Sequence, residues 1–163
     1  RAHLVEAFGR CPAPVVKAKV QLHHSDLFAL LEAQVAAGER YDTVAVLGIF
    51  YHIMDHYRLL KLINRLGPKL IIVDSEFLAA NWPFIRLGAE DPSRELNSTA
   101  ANGEVRVPIG IVSTKAMEQM AASLRYGVEW ADWNTLPEHD RGPVPDYYRE
   151  IPKRRMTCML RPL

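Results

Sequence analysis

Charge of one sign, cysteine and long apolar runs are all scarce in this chain of 163 residues. Lys and Arg number 20 against 19 Asp and Glu, a formal net charge of +1. That balance argues against broad electrostatic capture of nucleic acid or of an anionic membrane, while leaving room for a local basic patch. There are two cysteines, Cys11 and Cys158, and their spacing matches no zinc or redox motif. Cys158 sits in a strand-like run, so a buried free thiol in a reducing compartment is expected. No apolar stretch approaches the roughly 20 residues of a membrane span, and no signal peptide is recognisable. A cytoplasmic protein with no membrane partner is therefore expected. No Gly-x-Gly occurs, and Gly9, Gly38 and Gly48 stand alone, so the glycine-rich cradle of nucleotide-binding loops is missing from this segment. The chain starts at Arg1 inside a helix-like pattern, with Leu4, Val5 and Phe8 on one face. A fragment of a longer polypeptide is expected.

What is present reads as alternating helices and strands. After the breaker Cys11-Pro12-Ala13-Pro14, residues 16–22 alternate apolar and polar, the period of a strand near a sheet edge. Residues 26–37 carry Leu27, Leu31 and Val35 in one helical stripe, with Gly38 as the stop. Residues 43–50 are almost wholly apolar, as in a strand buried on both faces. A second amphipathic helix over 55–66 presents Leu59, Leu60, Ile63 and Leu66 and ends at Gly67-Pro68. Residues 69–73 form another apolar strand, followed by Asp74 and Glu76. From 77 to 112 the pattern breaks, with a short strand over 104–107, and a connection of this length in a compact domain suggests a lid. Ser113 caps a helix reaching 126, and strands over 128–133 and 155–160 follow with no helix between them, so they pair antiparallel.

Strands alternating with helices imply right-handed crossovers. The expected class is α/β: a Rossmann-like, mostly parallel sheet with helices on both faces and an antiparallel closing strand pair. In such sheets ligands bind beyond the carboxyl ends of the strands. The polar residues at His23-His24-Ser25-Asp26, at Gly48 to His52 and at Asp74-Ser75-Glu76 all fall on that rim.

The run Leu47-Gly48-Ile49-Phe50-Tyr51-His52, the run His24-Ser25-Asp26-Leu27 and the closing strand pair together resemble the C-terminal two-thirds of a class I S-adenosylmethionine-dependent methyltransferase. The resemblance covers nearly the whole chain but only part of that family's domain. It makes Leu47 to His52 the end of the fourth strand, facing the methyl donor. His24 to Leu27 becomes the end of the third strand, where an Asp meets the adenine, and Arg1 to Val5 the helix after the second strand. The family's first strand, glycine-rich turn and ribose-binding acid have no counterpart here. A single domain over 1–163, incomplete at its N-terminus and with a lid insertion over 77–112, is what the resemblance implies.

The same resemblance implies S-adenosylmethionine as cofactor, with Ser25, Asp26, Leu27, Gly48, Ile49 and Phe50 in contact with it. Asp26 also suits a helix N-terminus on dipole grounds alone. His52 is the candidate base, since an imidazole can accept a proton from a hydroxyl, amine or thiol; a histidine hydrogen-bonded at a helix entry is the structural alternative. Tyr51, His56, Glu76, Trp82 and Arg86 are candidates to face the substrate, each with a packing or ion-pairing role as the alternative. His52 and His56 form H-x-x-x-H, a zinc spacing on a helix, but no third ligand matches, and no metal is expected. Lys153-Arg154-Arg155 with Arg149 and Arg161, beside Tyr147 and Tyr148, could touch RNA phosphates or form a solvated strand entrance.

The expected activity is direct methyl transfer to a small-molecule nucleophile. A transfer-RNA methyltransferase of the wobble-uridine type is the alternative substrate class. A nicotinamide-dependent dehydrogenase and a non-catalytic Rossmann-like interaction module are the rivals from other classes.

Overall fold

A computed structural model describes residues 19–94, 97–98, 100, 103–142 and 145–163. The helix expected around Leu4 to Phe8, and residues 16–18, lie outside the described residues.

Four strands form the main sheet: β1 (Thr43–Leu47), β2 (Leu70–Leu78), β5 (Tyr126–Trp130) and β6 (Lys153–Pro162), in the order β1-β2-β6-β5. β1 and β2 run parallel, and β6 is antiparallel to both of its neighbours. The helices are α1 (Leu27–Ala36), α2 (His56–Arg65) and α3 (Thr114–Ser123). A separate hairpin joins β3 (Ile85–Glu90) to β4 (Val107–Val112).

The helices form where capping and periodicity agree. Asp26 caps α1 by accepting from the Ala29 amide at 2.9 Å, and Ser113 caps α3 by accepting from the Ala116 amide at 3.1 Å. In α2 the apolar stripe is buried as Leu59, Leu60, Leu62 and Ile63. The three helices lie side by side, and their inner faces meet Ile71, Val73 and Phe77 of β2 in one core with Phe50, Met117 and Leu160. Each fully buried aliphatic or aromatic side chain contributes roughly 1.5–3 kcal/mol.

Several boundaries differ from the sequence expectation. Lys19 to Leu22 is exposed and irregular, not a strand; a period-two pattern makes a strand only where a partner supplies the ladder. β1 is not buried on both faces: Val46 is buried, but Leu47 is 65% exposed, because among the described residues only β2 pairs with β1. The strand expected over 69–73 continues through Asp74, Ser75 and Glu76 to Leu78, because β6 supplies Thr157, Met156 and Arg155 opposite them. The strand expected over 104–107 is instead β4, and it pairs with β3, which was expected as loop.

The hairpin is fastened at its inner strand. Ile109, Ile111 and Val112 of β4 are buried, and the buried His56 places its Nε2 at 2.9 Å from the Gly110 carbonyl oxygen, while Phe50 meets the His56 ring edge-on at 4.8 Å. Donation from Nε2 to that carbonyl leaves Nδ1 without a proton, and Nδ1 is buried without a hydrogen-bond partner. Burial pushes the His56 pKa below its ordinary value, against smaller opposing effects of nearby carbonyls.

Three expectations follow from this packing. A Cβ on Gly110 would sit 2.6 Å from His56 Cε1, so Gly110→Ala should cost about 1–3 kcal/mol in chemical denaturation. His56 binds a proton more weakly folded than unfolded, so stability holds above the unfolded value near 6.5 and declines as pH falls below it. Melting curves should therefore drop between pH 7.5 and pH 5.5, and His56→Gln should lower the value at pH 7.5 while flattening that slope. Cys158 is buried, which pushes its thiol up to about 12; in a Cys11→Ser background, iodoacetamide at pH 8 should label it only after denaturant is added.

Candidate functional site

The site grows from the way β1 ends. Gly48 takes φ +70°, a conformation open to glycine, and its amide donates to the Asp74 carbonyl at 2.8 Å. The chain turns off the sheet into a single 3₁₀ turn, Phe50–His52. Phe50 drops into the core at 0% exposure, between His56 and Phe77. Tyr51 anchors the turn, its amide donating to Ser75 Oγ at 3.1 Å, and its ring lies 3.8 Å from that of His52.

His52 is then clamped from the hairpin side. Its Nδ1 lies 2.7 Å from Glu90 Oε2, at the end of β3, and both side chains are largely enclosed. Ser98 completes the cluster. Its amide donates to the same carboxylate oxygen at 2.8 Å, and its hydroxyl is within reach of that oxygen at 3.0 Å and of the His52 carbonyl at 3.1 Å. Burial alone would raise the Glu90 pKa, but the hydrogen bonds from the Ser98 amide, His52 and the Ser98 hydroxyl outweigh it and hold the carboxyl below its ordinary value. An ionised Glu90 draws the imidazole proton to Nδ1, so Nε2 keeps its lone pair. Burial, followed by the charges of Glu76 and Glu90, pushes the neighbouring Tyr51 phenol up, and it stays neutral.

The other face of β2 carries a second polar cluster. Asp74 is 7% exposed and accepts from Thr157 Oγ1 at 2.5 Å, from Tyr147 at 2.6 Å and from Arg155 Nε at 2.6 Å. Arg155 Nη2 contacts the same carboxylate and reaches back to the Gly48 turn, 3.5 Å from where a Cβ would stand. Burial and then Asp74 push the Tyr147 phenol up. Two residues along, Glu76 pairs with Lys153 at 2.5 Å and with Arg149 at 3.7 Å. Three of the five cations in the basic cluster are thus bound to carboxylates of the sheet.

The remaining candidates are spread out. Ser25 and Asp26 are exposed and Leu27 is half-buried, at the start of α1. Ile49 is partly exposed beside Gly48. Trp82 is 78% exposed and Arg86 is exposed on β3. Two expectations need correction: the Phe50 ring is sealed in the core and cannot flank a ligand, and His56 is enclosed beneath β4 and cannot face a substrate. Both are taken by the packing that seats the hairpin. The H-x-x-x-H pair is split between the 3₁₀ turn and α2, so it does not form a helical zinc pair. Sequence reasoning misses Glu90 and Ser98, and it places Tyr147 and Arg155 only in a basic cluster, not beside Asp74. Their partners lie 38, 46, 73 and 81 residues away, and no local pattern connects them.

No protein-family model matches the sequence, and no curated protein matches it. Solved structures do resemble the fold. The N-terminal domain of EvdMO1, solved in the presence of SAH and D-fucose, aligns over 90% of this chain and 57% of that one, with 13% identity and a TM-score of 0.62. The glycopeptide N-methyltransferase MtfA complexed with S-adenosyl-L-methionine aligns over 99% of this chain and 72% of that one, with 10% identity and a TM-score of 0.54. The chain therefore spans just over half the length of the EvdMO1 structure. At such identities the likeness speaks for the architecture: the chain has the fold of the class I S-adenosylmethionine-dependent methyltransferases.

Proposed function

We propose that the protein takes part in methyl transfer from S-adenosylmethionine to a nucleophile on a small molecule, with His52 accepting the proton. The observation that carries this is the Glu90–His52 pair held on the rim of a methyltransferase fold, with Nδ1 engaged at 2.7 Å. Nε2 is left as the basic nitrogen, and among the described residues it has no hydrogen bond.

The end of β1 fits a cofactor. Gly48 presents no side chain, Leu47 and Ile49 are exposed beside it, and the Asp26 carboxylate stands exposed at the head of α1. Ser25, Asp26, Leu27, Gly48 and Ile49, with the backbone of Phe50, are the residues that would hold it. When bound, S-adenosylmethionine supplies an electrophilic methyl group with its own leaving group. The chain's own task is then alignment and proton removal. Nε2 of His52 takes the proton of the acceptor hydroxyl, amine or thiol. Glu90 holds the ring in the correct tautomer and stabilises the imidazolium that forms, and Ser98 keeps Glu90 ionised. Tyr51, packed on His52, and the exposed Trp82 and Arg86 are candidates to contact the acceptor, with the β3–β4 hairpin as the wall that brings Glu90 in. The ion pairs that tie up Lys153, Arg149 and Arg155 favour a small acceptor over a transfer-RNA backbone.

In the intact full-length protein, calorimetry should show micromolar binding of S-adenosylhomocysteine, and its absence would remove the proposal in favour of an interaction module. With tritiated methyl donor and a panel of phenols, amines and thiols, His52→Asn should lower transfer by about 10²–10⁴-fold while binding S-adenosylhomocysteine normally. Glu90→Gln should lower it by about 10–100-fold and displace the pH profile, which a purely structural role would leave in place.

A further inference from the structure

His56 sits where a second proton is disfavoured. It is 1% exposed and occupies the first position of α2, at the positive end of the helix dipole. Its Nε2 is engaged by the Gly110 carbonyl at 2.9 Å, and the Phe50 ring meets it edge-on. Ile85 of β3 closes on the same spot, 3.0 Å from where a Gly110 Cβ would stand. A further proton would put an N–H on Nδ1, which is buried without a hydrogen-bond partner.

The groups around the ring do little to invite that proton. Residues 107–112 of β4 carry no titratable side chain. On β3, Arg86 is exposed and Glu90 is taken by His52. On the 3₁₀ turn, Tyr51 is neutral and His52 can add only positive charge. On α2, Tyr57 is exposed. Asp55, which caps α2, favours the proton, but it is 60% exposed and paired with Arg58 at 3.5 Å. The carbonyls of Gly110, Met54 and Phe50 favour it too, and burial outweighs them all.

The ring reaches water if the strands above it lift. β3 is exposed over 85–89, whereas Phe50, Leu59, Leu60 and Ile63 are sealed in the core, so the hairpin is the side that gives. Its base is pinned at Ser113. The Ser113 hydroxyl accepts from the Phe84 amide at 3.1 Å and donates to the Trp82 carbonyl at 2.7 Å, and the Ser113 amide donates to the Phe84 carbonyl at 3.0 Å. Its far end carries Glu90, opposite Val107 and so three residues along β4 from Gly110. Burial of Ile109 and Ile111 keeps the hairpin down while His56 is neutral.

We propose that the hairpin is a proton-operated latch: a proton taken up by His56 from solvent lifts β3 and β4 off the ring, pivoting at Ser113, and withdraws Glu90 from His52. The closed form holds His56 neutral, and the open form lets it titrate near 6.5. Above that value protons leave the closed form undisturbed, and below it the open population grows by up to about tenfold per pH unit. A protonated His52 keeps hold of Glu90 as an ion pair and works against the lifting. That the latch governs a catalytic base rests on the methyl-transfer proposal above. The lifting itself does not.

Hydrogen exchange of the intact protein between pH 7.5 and 5.5, corrected for intrinsic rates and with the histidine ring signals followed by NMR, tests this. The amides of 85–90 and 107–111 should open about tenfold more at pH 5.5 than at pH 7.5. At pH 5.5 they should open at least about tenfold more readily than those of β2 and β6, and without the urea dependence that marks global unfolding. His56→Gln should remove the rise, and His52→Asn should keep it. A hairpin that opens only together with the sheet overturns the proposal, as does a rise that persists in His56→Gln. So does a charged His56 beneath hairpin amides that stay protected, a result read on the unmutated protein if His56→Gln fails to fold. S-adenosylhomocysteine is titrated separately at pH 7.5. Its binding with an unmoved hairpin removes the latch and leaves methyl transfer standing, and a moving hairpin without its binding supports the latch and removes the cofactor.

Discussion

The carboxylate of Asp74 is the constraint on which the rim depends. A carboxylate taken largely out of water costs several kcal/mol unless its lone pairs are satisfied, and here three groups from distant parts of the chain do so. Thr157 and Arg155 lie on β6, so satisfying Asp74 also sets the antiparallel register of β6 against β2. Tyr147 belongs to the irregular stretch between β5 and β6, so the same carboxylate draws that stretch down onto the sheet. The Asp74 backbone carbonyl meanwhile receives the Gly48 amide and ends β1 where it does. One residue therefore places the turn at Gly48, the arginine beside it and the Tyr147 ring.

Two histidines four positions apart have opposite fates, and the hairpin decides both. β4 closes over His56, which becomes a neutral core residue whose ring faces Gly110 and Phe50. β3 brings Glu90 to His52, which is clamped and largely enclosed but not sealed in the core. A glycine at 110 is needed for the first contact, because a side chain there would collide with the imidazole. The hairpin is thus a structural plug on its inner strand and a source of polar groups at its outer end.

The rim also neutralises much of its own positive charge. Lys153, Arg149 and Arg155 look from the sequence like a basic patch beside two tyrosines, yet Glu76 and Asp74 pair with all three. The carboxylate side of each pair is largely enclosed while the cation side is partly exposed. Their effect is on recognition, because a neutralised cluster offers little to a phosphate backbone.

Local chemistry made much of the chain legible. The caps at Asp26 and Ser113, the stripe of Leu59, Leu60 and Ile63, and the stop at Gly67-Pro68 are decided within a few residues, and the structure forms α1, α2 and α3 where they indicate. The helix–strand alternation, with a final pair lacking a helix, sufficed for the α/β class and the antiparallel closure. Gly48 and His52 stood out because a glycine followed by aromatic and imidazole groups is unusual at a strand end. Tertiary structure alone decided the rest. Whether an alternating stretch becomes a strand depends on a partner, so Lys19 to Leu22 stays irregular while Asp74 to Leu78 is absorbed into β2. Which histidine is sealed in the core and which is clamped by a carboxylate depends on a hairpin whose strands lie across a long connection. The partners of His52 and Asp74 are tens of residues away, and hydrogen bonds that close such loops leave no periodic trace in the sequence, because they are specified by the fold that brings their ends together.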